Sequence, residues 1–437
     1  MTSGLGFREP LHLLRRTPDL RLLLGAGLIS LTGDWVLGIG LTYSVFALTG
    51  STLASAVTLL AAFVPQVLVG SVAGVFVDRW DRKRTMIVAN LVLAVALVPL
   101  LWVFDASRIW LVYVVLAVES VVEVFFGPAE QAMLPRVVPD DDLVVANGLN
   151  GQVQQMARLV GSGLGGVVAA IGGIAALAVA DAVTFALAAL LLSRIHASGR
   201  PDRTNSTEGI HPPDEELRGR LAQLGHEWRA GLATAWGTPV IRILLVFCLI
   251  TSTGEGIMGT LFAPFVRDVL HGGAQVYGVI TGVQAVGGIV GGFAVATLAN
   301  RWSPTTMLGA GALVFGLVDL AIFLYPLAWV SPWPAMLGMI VVGLPGAVTI
   351  AGLTTLFQRN TADEKRGRVF SLVSMARSVT MVIGTVAAGF LGGAVGIVPV
   401  LAFQGVGYVV AGALAWGALS RRRDQVAAPV GPAPLVD

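Results

Sequence analysis

Apolar residues occur along this chain in long blocks that are separated by short polar segments. Each block has about 20 residues or more, and a helix of about 20 residues already spans the hydrocarbon core of a bilayer, roughly 30 Å thick. The pattern therefore predicts twelve membrane-spanning helices. They are expected at residues 20–48, 52–77, 84–104, 108–127, 143–170, 174–193, 240–266, 275–299, 305–325, 334–357, 367–393 and 397–419.

The composition agrees with this prediction and excludes most soluble classes of protein. Of 437 residues, 55% are hydrophobic and 12% are charged, and the mean hydropathy is +0.80. An ordinary soluble domain has roughly a quarter charged residues. So much apolar surface cannot be hidden in one aqueous core, and twelve crossings leave no room for a large water-soluble domain. The sequence therefore predicts an all-α membrane protein.

The basic residues predict the orientation of the chain. Of 28 Lys and Arg residues, 24 fall in the two termini and the loops on their side, two (Arg108, Arg267) fall on the other side, and two (Arg158, Arg377) lie inside helices. By the positive-inside rule, both termini are expected in the cytoplasm. Four tryptophans cluster at the opposite helix ends, as residues of a membrane interface do. They are Trp102, Trp110, Trp329 and Trp333.

A polar segment divides the predicted helices into two groups of six. Residues 195–239 begin with Pro, Gly and Ser and continue with leucines at helical spacing flanked by arginines. This spacing predicts a short amphipathic helix at 215–235, on the inner membrane face. Four regions are therefore expected: an N-terminal half at 1–194, a cytoplasmic linker at 195–239, a C-terminal half at 240–423 and a disordered tail at 424–437.

The two groups of helices share sequence landmarks. Each group begins on the cytoplasmic side and has an even number of helices, so the two are predicted to be parallel repeats about an axis along the membrane normal. The landmarks are Thr32-Gly33-Asp34 and Thr253-Gly254-Glu255 at an offset of 221, Asp78-Arg79-Trp80 and Asn300-Arg301-Trp302 at 222, and Met156-Ala157-Arg158 and Met375-Ala376-Arg377 at 219.

Charged residues inside the predicted helices are the candidate functional residues. Each costs at least ~2.5 kcal/mol at the bilayer centre unless it faces a cavity or a partner. Six of them are candidates for binding protons or substrate: Asp34, Glu119, Glu123, Arg158, Glu255 and Arg377. Two further carboxyl groups, Asp181 and Asp319, are expected to support helix packing instead.

Glu119 and Glu123 lie one helical turn apart on the same face. Two negative charges at this spacing repel each other, so one carboxyl is expected to hold a proton at neutral pH. The group of Asp34, Glu119 and Glu123 is therefore interpreted as a proton or substrate site. Static pairing of these carboxylates with Arg158 is the alternative.

The loop after the second helix carries a motif with fixed spacing. Its key positions are Gly74, Asp78, Arg79, Arg82 and Lys83. By charge alone this is a basic cytoplasmic loop, but the spacing resembles the signature Gly-x-x-x-Asp-Arg-x-x-Arg-Arg/Lys of the major facilitator superfamily. The resemblance implies that Asp78 accepts hydrogen bonds that latch an inner gate. The second-half copy departs from the motif, with Ala296 and Asn300 in place of the glycine and the aspartate.

The fifth helix carries a glycine motif formed by Gly161, Gly165 and Gly166. It resembles the Gly-Pro-x-x-Gly-Gly motif of facilitator antiporters, although Ser162 replaces the proline. Close packing of helices through small residues is the alternative interpretation.

The resemblance covers residues 15 to 423 and extends to the drug-efflux branch of the superfamily, with its macrolide, multidrug and siderophore exporters. It implies twelve helices in two parallel six-helix repeats, with Asp34, Glu119, Glu123 and Glu255 on helices that surround a central cavity. The expected function is secondary active export of amphipathic small molecules such as antibiotics, by alternating access and driven by inward protons. The expected partners are the substrate, protons and the lipid bilayer of a bacterial plasma membrane, with no nucleic acid and a monomeric chain.

Two other functions remain open at this point. One is an importer, or a lipid or siderophore translocase, on the same fold. The other is a membrane scaffold that recruits a partner through residues 215–235. The two lysines, Lys83 and Lys365, lie outside any ATP-binding phosphate loop, and no catalytic or metal-binding motif occurs. No enzyme activity, cofactor or metal is therefore expected.

Overall fold

The computed structural model describes residues 8–77, 80–200, 237–298, 301–361 and 363–422, and within these ranges the chain is helical without a strand. The prediction of an all-α membrane protein is confirmed. The helices are α1 (Arg8–Arg16), α2 (Pro18–Thr49), α3 (Thr52–Val77), α4 (Arg82–Ala96), α5 (Trp110–Val137), α6 (Leu143–Ser193), α7 (Pro239–Pro264), α8 (Ala274–Leu298), α9 (Pro304–Leu324), α10 (Pro332–Arg359), α11 (Asp363–Ala394) and α12 (Ile397–Ser420).

Helix α6 accounts for two of the predicted membrane crossings. It has 51 residues, and Gly173, with φ 59° and ψ −152°, forms a kink that divides it into two helical segments. Only glycine adopts such a conformation without strain, because a Cβ atom would clash with the backbone. We call the segments on either side α6a (143–172) and α6b (174–193). With α6 counted once, the described residues contain eleven helices long and apolar enough to cross a membrane.

The ends of equivalent helices in the two halves are specified in the same way. Helices α2 and α7 each begin with proline at the first helical position, Pro18 and Pro239, where the missing N–H costs nothing. Helices α4 and α9 are each capped by a side-chain oxygen: Asp81 accepts from the Arg84 N–H at 3.1 Å, and Ser303 accepts from the Thr306 N–H at 3.2 Å.

The chain forms two compact units. One comprises Met1–Gly50, Val57–Leu217 and Gly273–Gly282, and the other comprises Ser51–Ala56, Arg218–Gly272 and Val283–Asp437. In the first unit, α2 contributes Leu20 and Leu23 to a buried core with Met86 and Met133. In the second, the core includes Leu244, Leu308, Leu356 and Ala411. The predicted amphipathic helix at 215–235 and tail at 424–437 lie outside the described residues.

Candidate functional site

Four carboxyl groups meet in the first unit. Asp34 lies on α2, Glu119 and Glu123 on α5, and Asp181 on α6b. Each carboxyl lies close enough to the other three to interact with them electrostatically. We call these four residues the acid cluster. The structure thus brings together the three carboxyl residues that the sequence singled out, and it adds Asp181, which the sequence had suggested for helix packing.

Burial differs strongly among the four side chains. Asp181 is fully buried and Glu119 is 9% exposed, whereas Asp34 is half-buried and Glu123 is exposed. The buried members are incompletely satisfied: within the described part of the chain, Asp181 Oδ2 and Glu119 Oε1 have no hydrogen-bond partner. A buried acceptor without a donor costs roughly 1–3 kcal/mol. An arrangement with this cost suits a site where a proton or a cationic ligand binds.

Helix α2 makes room for the acid cluster through Gly33. A Cβ atom added at Gly33 would overlap both Thr184 Oγ1 and Asp181 Oδ1. The Thr184 hydroxyl in turn donates a 2.9 Å hydrogen bond to Asp181 Oδ1. Because glycine has no side chain, the Asp181 carboxyl can lie directly against the α2 backbone, one residue from Asp34.

Arg158, on α6a, packs against the aromatic ring of the residue that follows Asp34. Its guanidinium carbon is 5.2 Å from the centre of the Trp35 indole, within the range of a cation–π interaction. Trp35 follows Asp34 directly on α2. The contact therefore holds a positive charge beside the helix that carries one of the carboxyl groups.

A different polar group occupies the second unit. Arg377 on α11 forms an ion pair with Glu255 on α7, at 3.3 Å from Oε2, and its Nε donates to Ser252 Oγ at 3.1 Å. The Tyr408 hydroxyl donates to Glu255 Oε1 at 3.3 Å. Unlike the buried acids of the first unit, Glu255 has both a cation and a hydroxyl donor. Its charge is therefore compensated within the protein.

This ion pair lines a cavity of about 330 Å³ between α7, α10 and α11. Leu353, Phe357, Phe370 and Met381 provide apolar walls, and Ser252, Thr354, Ser374 and Ser378 add hydroxyl groups. Aromatic and aliphatic walls with a few polar groups are typical of small-molecule sites. The cavity has the chemistry expected for an amphipathic ligand.

Equivalent glycines in the two units show which residue of the second unit corresponds to Asp181. A Cβ added at Gly254, the repeat equivalent of Gly33, would lie 2.9 Å from Gln404 Cγ, so Gln404 takes the place that Asp181 has in the first unit. Gln404 Nε2 donates a buried 3.0 Å hydrogen bond to Asp319 Oδ2, whereas its Oε1 has no hydrogen-bond partner within the described residues. The offset between Asp181 and Gln404 is 223 residues.

The same comparison corrects the pairing of the two arginines. Added Cβ atoms at Gly161 and Gly384 would contact the carbonyl oxygens of Thr32 and Thr253, which are repeat equivalents. Helix α11 therefore aligns with α6a at an offset of 223, whereas Arg158 and Arg377 are 219 apart. Arg377 lies about one helical turn away from the position equivalent to Arg158.

The glycine motif of α6a serves close packing. An added Cβ would lie 2.6 Å from Thr32 O at Gly161 and 2.7 Å from Val36 O at Gly165, and at Gly166 it would overlap Ala274 O. Ordinary contacts of a Cβ atom are 3.4–4 Å. These glycines therefore let α6a approach the backbones of α2 and of the first turn of α8.

The loop motif is described only in part. Gly74 lies in α3, while Asp78 and Arg79 are outside the described residues. Lys83 Nζ donates to Ile195 O at 2.6 Å, and the Arg82 N–H donates to Gly199 O at 2.9 Å. The basic end of the motif thus holds the segment that follows α6b.

A further carboxyl group on α5, that of Glu130, was not predicted from the sequence. Glu130 Oε1 would lie 3.3 Å from a Cβ added at Gly27 of α2. Glu130 is seven residues from Glu123, which places both on the same face of the helix. The spacing of seven residues was the signal in the sequence by which Glu130 could have been found.

Among the described residues, no group of three or more His, Cys, Asp or Glu side chains is arranged to hold a metal ion.

Comparison with known proteins identifies the family. The model of the Major Facilitator Superfamily matches residues 23–258 and 244–435, which together span nearly the whole chain. Macrolide efflux protein A of Streptococcus pyogenes is 23% identical over 372 residues, 84% of this chain and 88% of that protein. Multidrug efflux pump Tap of Mycolicibacterium fortuitum is 27% identical over 396 residues, 86% and 90% of the two chains. The chain therefore belongs to the major facilitator superfamily, and it is a multi-pass membrane transporter with efflux pumps among its relatives.

Solved structures support the same fold. A bacterial homologue of the human lysosomal transporter Spinster has a TM-score of 0.71 and 15% identity, over 96% of this chain and 99% of that one. A bacterial homologue of the iron transporter ferroportin has a TM-score of 0.70 and 14% identity, over 94% and 100%. At these identities the likeness concerns the fold alone. It confirms the major facilitator fold predicted from the loop motif.

Proposed function

We propose that this transporter exports amphipathic small molecules, cationic ones among them, in exchange for protons. The observation that carries the proposal is the acid cluster, where two buried carboxyl oxygens have no donor within the described part of the chain and the exposed Glu123 adjoins them. Macrolide efflux protein A and multidrug efflux pump Tap support export, because both are efflux proteins by name.

Mutual repulsion supplies the coupling between proton and substrate. Four carboxylates at one place cannot all stay charged at low cost, so the site favours a proton or a cation. If a cationic substrate displaces a proton, and the proton displaces the substrate, then neither crosses without the other. Exchange is obligatory because both compete for the same negative charge.

The cavity beside Glu255 and Arg377 is proposed as a separate binding site of the second unit for amphipathic ligands. Its ion pair is internally compensated, so it does not require a charged ligand, and its aromatic walls accept an apolar body. The two polar groups then have different roles. The acid cluster binds protons and cations, whereas the cavity of the second unit accepts apolar parts of ligands.

The proposal includes the organisation of the chain in the membrane. Two six-helix halves at 1–194 and 240–423 would alternate access between the two sides of the bilayer, with both termini in the cytoplasm. The 24 basic residues on the side of the termini support this orientation. One copy of the chain contains both halves and would act as a monomer.

The test uses ethidium and erythromycin as probes in proteoliposomes with an imposed pH gradient. Wild-type protein should move at least one probe against its concentration gradient, and a protonophore should abolish this movement. The variants Asp34→Asn and Glu119→Gln should lose uphill transport but keep exchange of probe across the membrane. Asp105→Asn, a matched change in an exposed turn, should behave as wild type. Uphill transport that survives the protonophore would contradict proton coupling.

A further inference from the structure

Asp181 is the most deeply buried carboxyl group of the acid cluster. Its side chain is fully buried, and Oδ1 accepts one hydrogen bond, 2.9 Å long, from Thr184. Oδ2 has no hydrogen-bond partner in the described ranges. A carboxylate that serves only to join helices would be expected to have donors on both oxygens. An ionised Asp181 therefore lacks the donors that a buried carboxylate needs.

Charged groups approach Asp181 from two neighbouring helices. Asp34 faces it from α2, and Glu119 and Glu123 face it from α5. On its own helix, Arg158 belongs to α6a and packs on Trp35. The titratable side chains of α4 are three basic residues in its first turn, at the end that contacts the segment after α6b. The immediate electrostatic surroundings of Asp181 are thus dominated by other acids.

The second unit shows what the same position needs for packing alone. There, Gln404 lies against Gly254 as Asp181 lies against Gly33; its amide nitrogen donates to Asp319, and its Oε1, like Asp181 Oδ2, has no partner among the described residues. A neutral side chain of similar size is therefore compatible with this packing. The ionisable group in the first unit adds nothing that packing requires, and the free oxygen is available for a proton.

We propose that Asp181 is the carboxyl group that binds and releases the coupled proton. The inference deepens the proposed function and rests on it. A proton that enters by the exposed Glu123 would transfer to the Asp181 carboxylate, which becomes a neutral acid, and it would leave as a proton when the site opens to the other side.

The decisive variant is Asp181→Asn, which keeps the shape and removes the proton site. Its matched control is Asp319→Asn, the same change at a buried aspartate of the second unit. In proteoliposomes, D181N should reduce ethidium transport driven by a pH gradient at least tenfold while ethidium counterflow stays within about threefold of wild type, and D319N should retain both activities. If D181N transports ethidium at the wild-type rate when a pH gradient drives the transport, the proposal is overturned.

Two further measurements test directly whether Asp181 binds the proton. Infrared titration of the purified protein should show that D181N lacks one protonated carboxylic acid component of the wild-type spectrum and that D319N retains this component, and a D181N spectrum identical to that of wild type would also overturn the assignment. Thr184→Val removes the one hydrogen bond to Asp181, so it should move the pH midpoint of driven transport by about half a unit or more. An unmoved midpoint would count against Asp181. If wild-type protein moves neither ethidium nor erythromycin with the gradient, the proposed function itself fails.

Discussion

Replacement of Gly33 by alanine should destabilise the protein and disturb the acid cluster. The added Cβ would overlap Thr184 Oγ1 and Asp181 Oδ1, and it would lie 3.0 Å from Thr184 Cβ, against 3.4–4 Å for an ordinary contact. Overpacking of this kind costs about 1–3 kcal/mol. Because three side-chain atoms are involved and one of them, Thr184 Cβ, is bonded directly to the α6b backbone, we expect a value near the upper end of that range.

The same helix offers a matched control at Gly38. A Cβ added there meets nothing within 4 Å. Alanine is better than glycine in a helix by about 0.8–1 kcal/mol, and this gain applies equally to both variants. The difference between Gly33→Ala and Gly38→Ala therefore isolates the overpacking cost.

Gly254→Ala gives an intermediate test of the same kind in the second unit. Its nearest atom is Gln404 Cγ at 2.9 Å, which belongs to a longer side chain that can shift. In equilibrium unfolding of the purified proteins in mixed micelles, Gly38→Ala should be the most stable of the three variants, Gly254→Ala intermediate and Gly33→Ala the least stable. Equal stability of Gly33→Ala and Gly38→Ala would refute the contact between α2 and α6b described here.

Three other predictions follow from the loop, the kink and the orientation. Asp78→Ala should slow transport of ethidium while equilibrium binding of ethidium stays within a few-fold of wild type. A residue that acts on the gate changes the equilibrium between conformational states rather than the binding site. Loss of ethidium binding in the folded variant would place Asp78 in the site. Gly173→Ala should lower stability by about 1–3 kcal/mol, because alanine is strained at φ 59°, whereas Gly163→Ala, with nothing within 4 Å of its Cβ, should not. A cysteine at Ser331 should react with an impermeant thiol reagent in intact cells, and one at Ser206 only after lysis; labelling of Ser206 in intact cells would reverse the orientation.

The helices could be predicted closely because the signal is one of length and hydropathy. The expected gap between 170 and 174 coincides with the break at Gly173, and the predicted segment 52–77 coincides with α3. Details that depend on local hydrogen bonding were not predicted. The chain continues past Pro264 in a π-helical turn, Phe265–Val269, and Arg8–Arg16 forms a short helix before the first crossing. Hydropathy does not distinguish such turns from the helices beside them.

The site was predictable only as a set of candidate residues. The cost of charge in a membrane singles out Asp34, Glu119 and Glu123 from the sequence alone. Which helix faces meet is not encoded in spacing within one helix, so the meeting of Asp181 with these three emerges only from the packing of α6b against α2. Gly33 decides this contact, and its importance is visible only when the neighbouring helix is placed.

The two units carry different polar groups at equivalent positions of the internal repeat. Asp34 and Glu255 occupy equivalent positions, yet Glu255 is paired with Arg377 while Asp34 meets three other acids. Since α11 is aligned with α6a at an offset of 223 rather than 219, the arginine of the second unit is displaced by about one turn. At the other equivalent position, the neutral Gln404 donates to Asp319, whereas Asp181 is itself an acid; each has one oxygen without a hydrogen-bond partner in the described ranges. In the second unit, Glu255 thus has a cation beside it and Asp319 has a neutral amide donor, whereas the first unit brings four acids together.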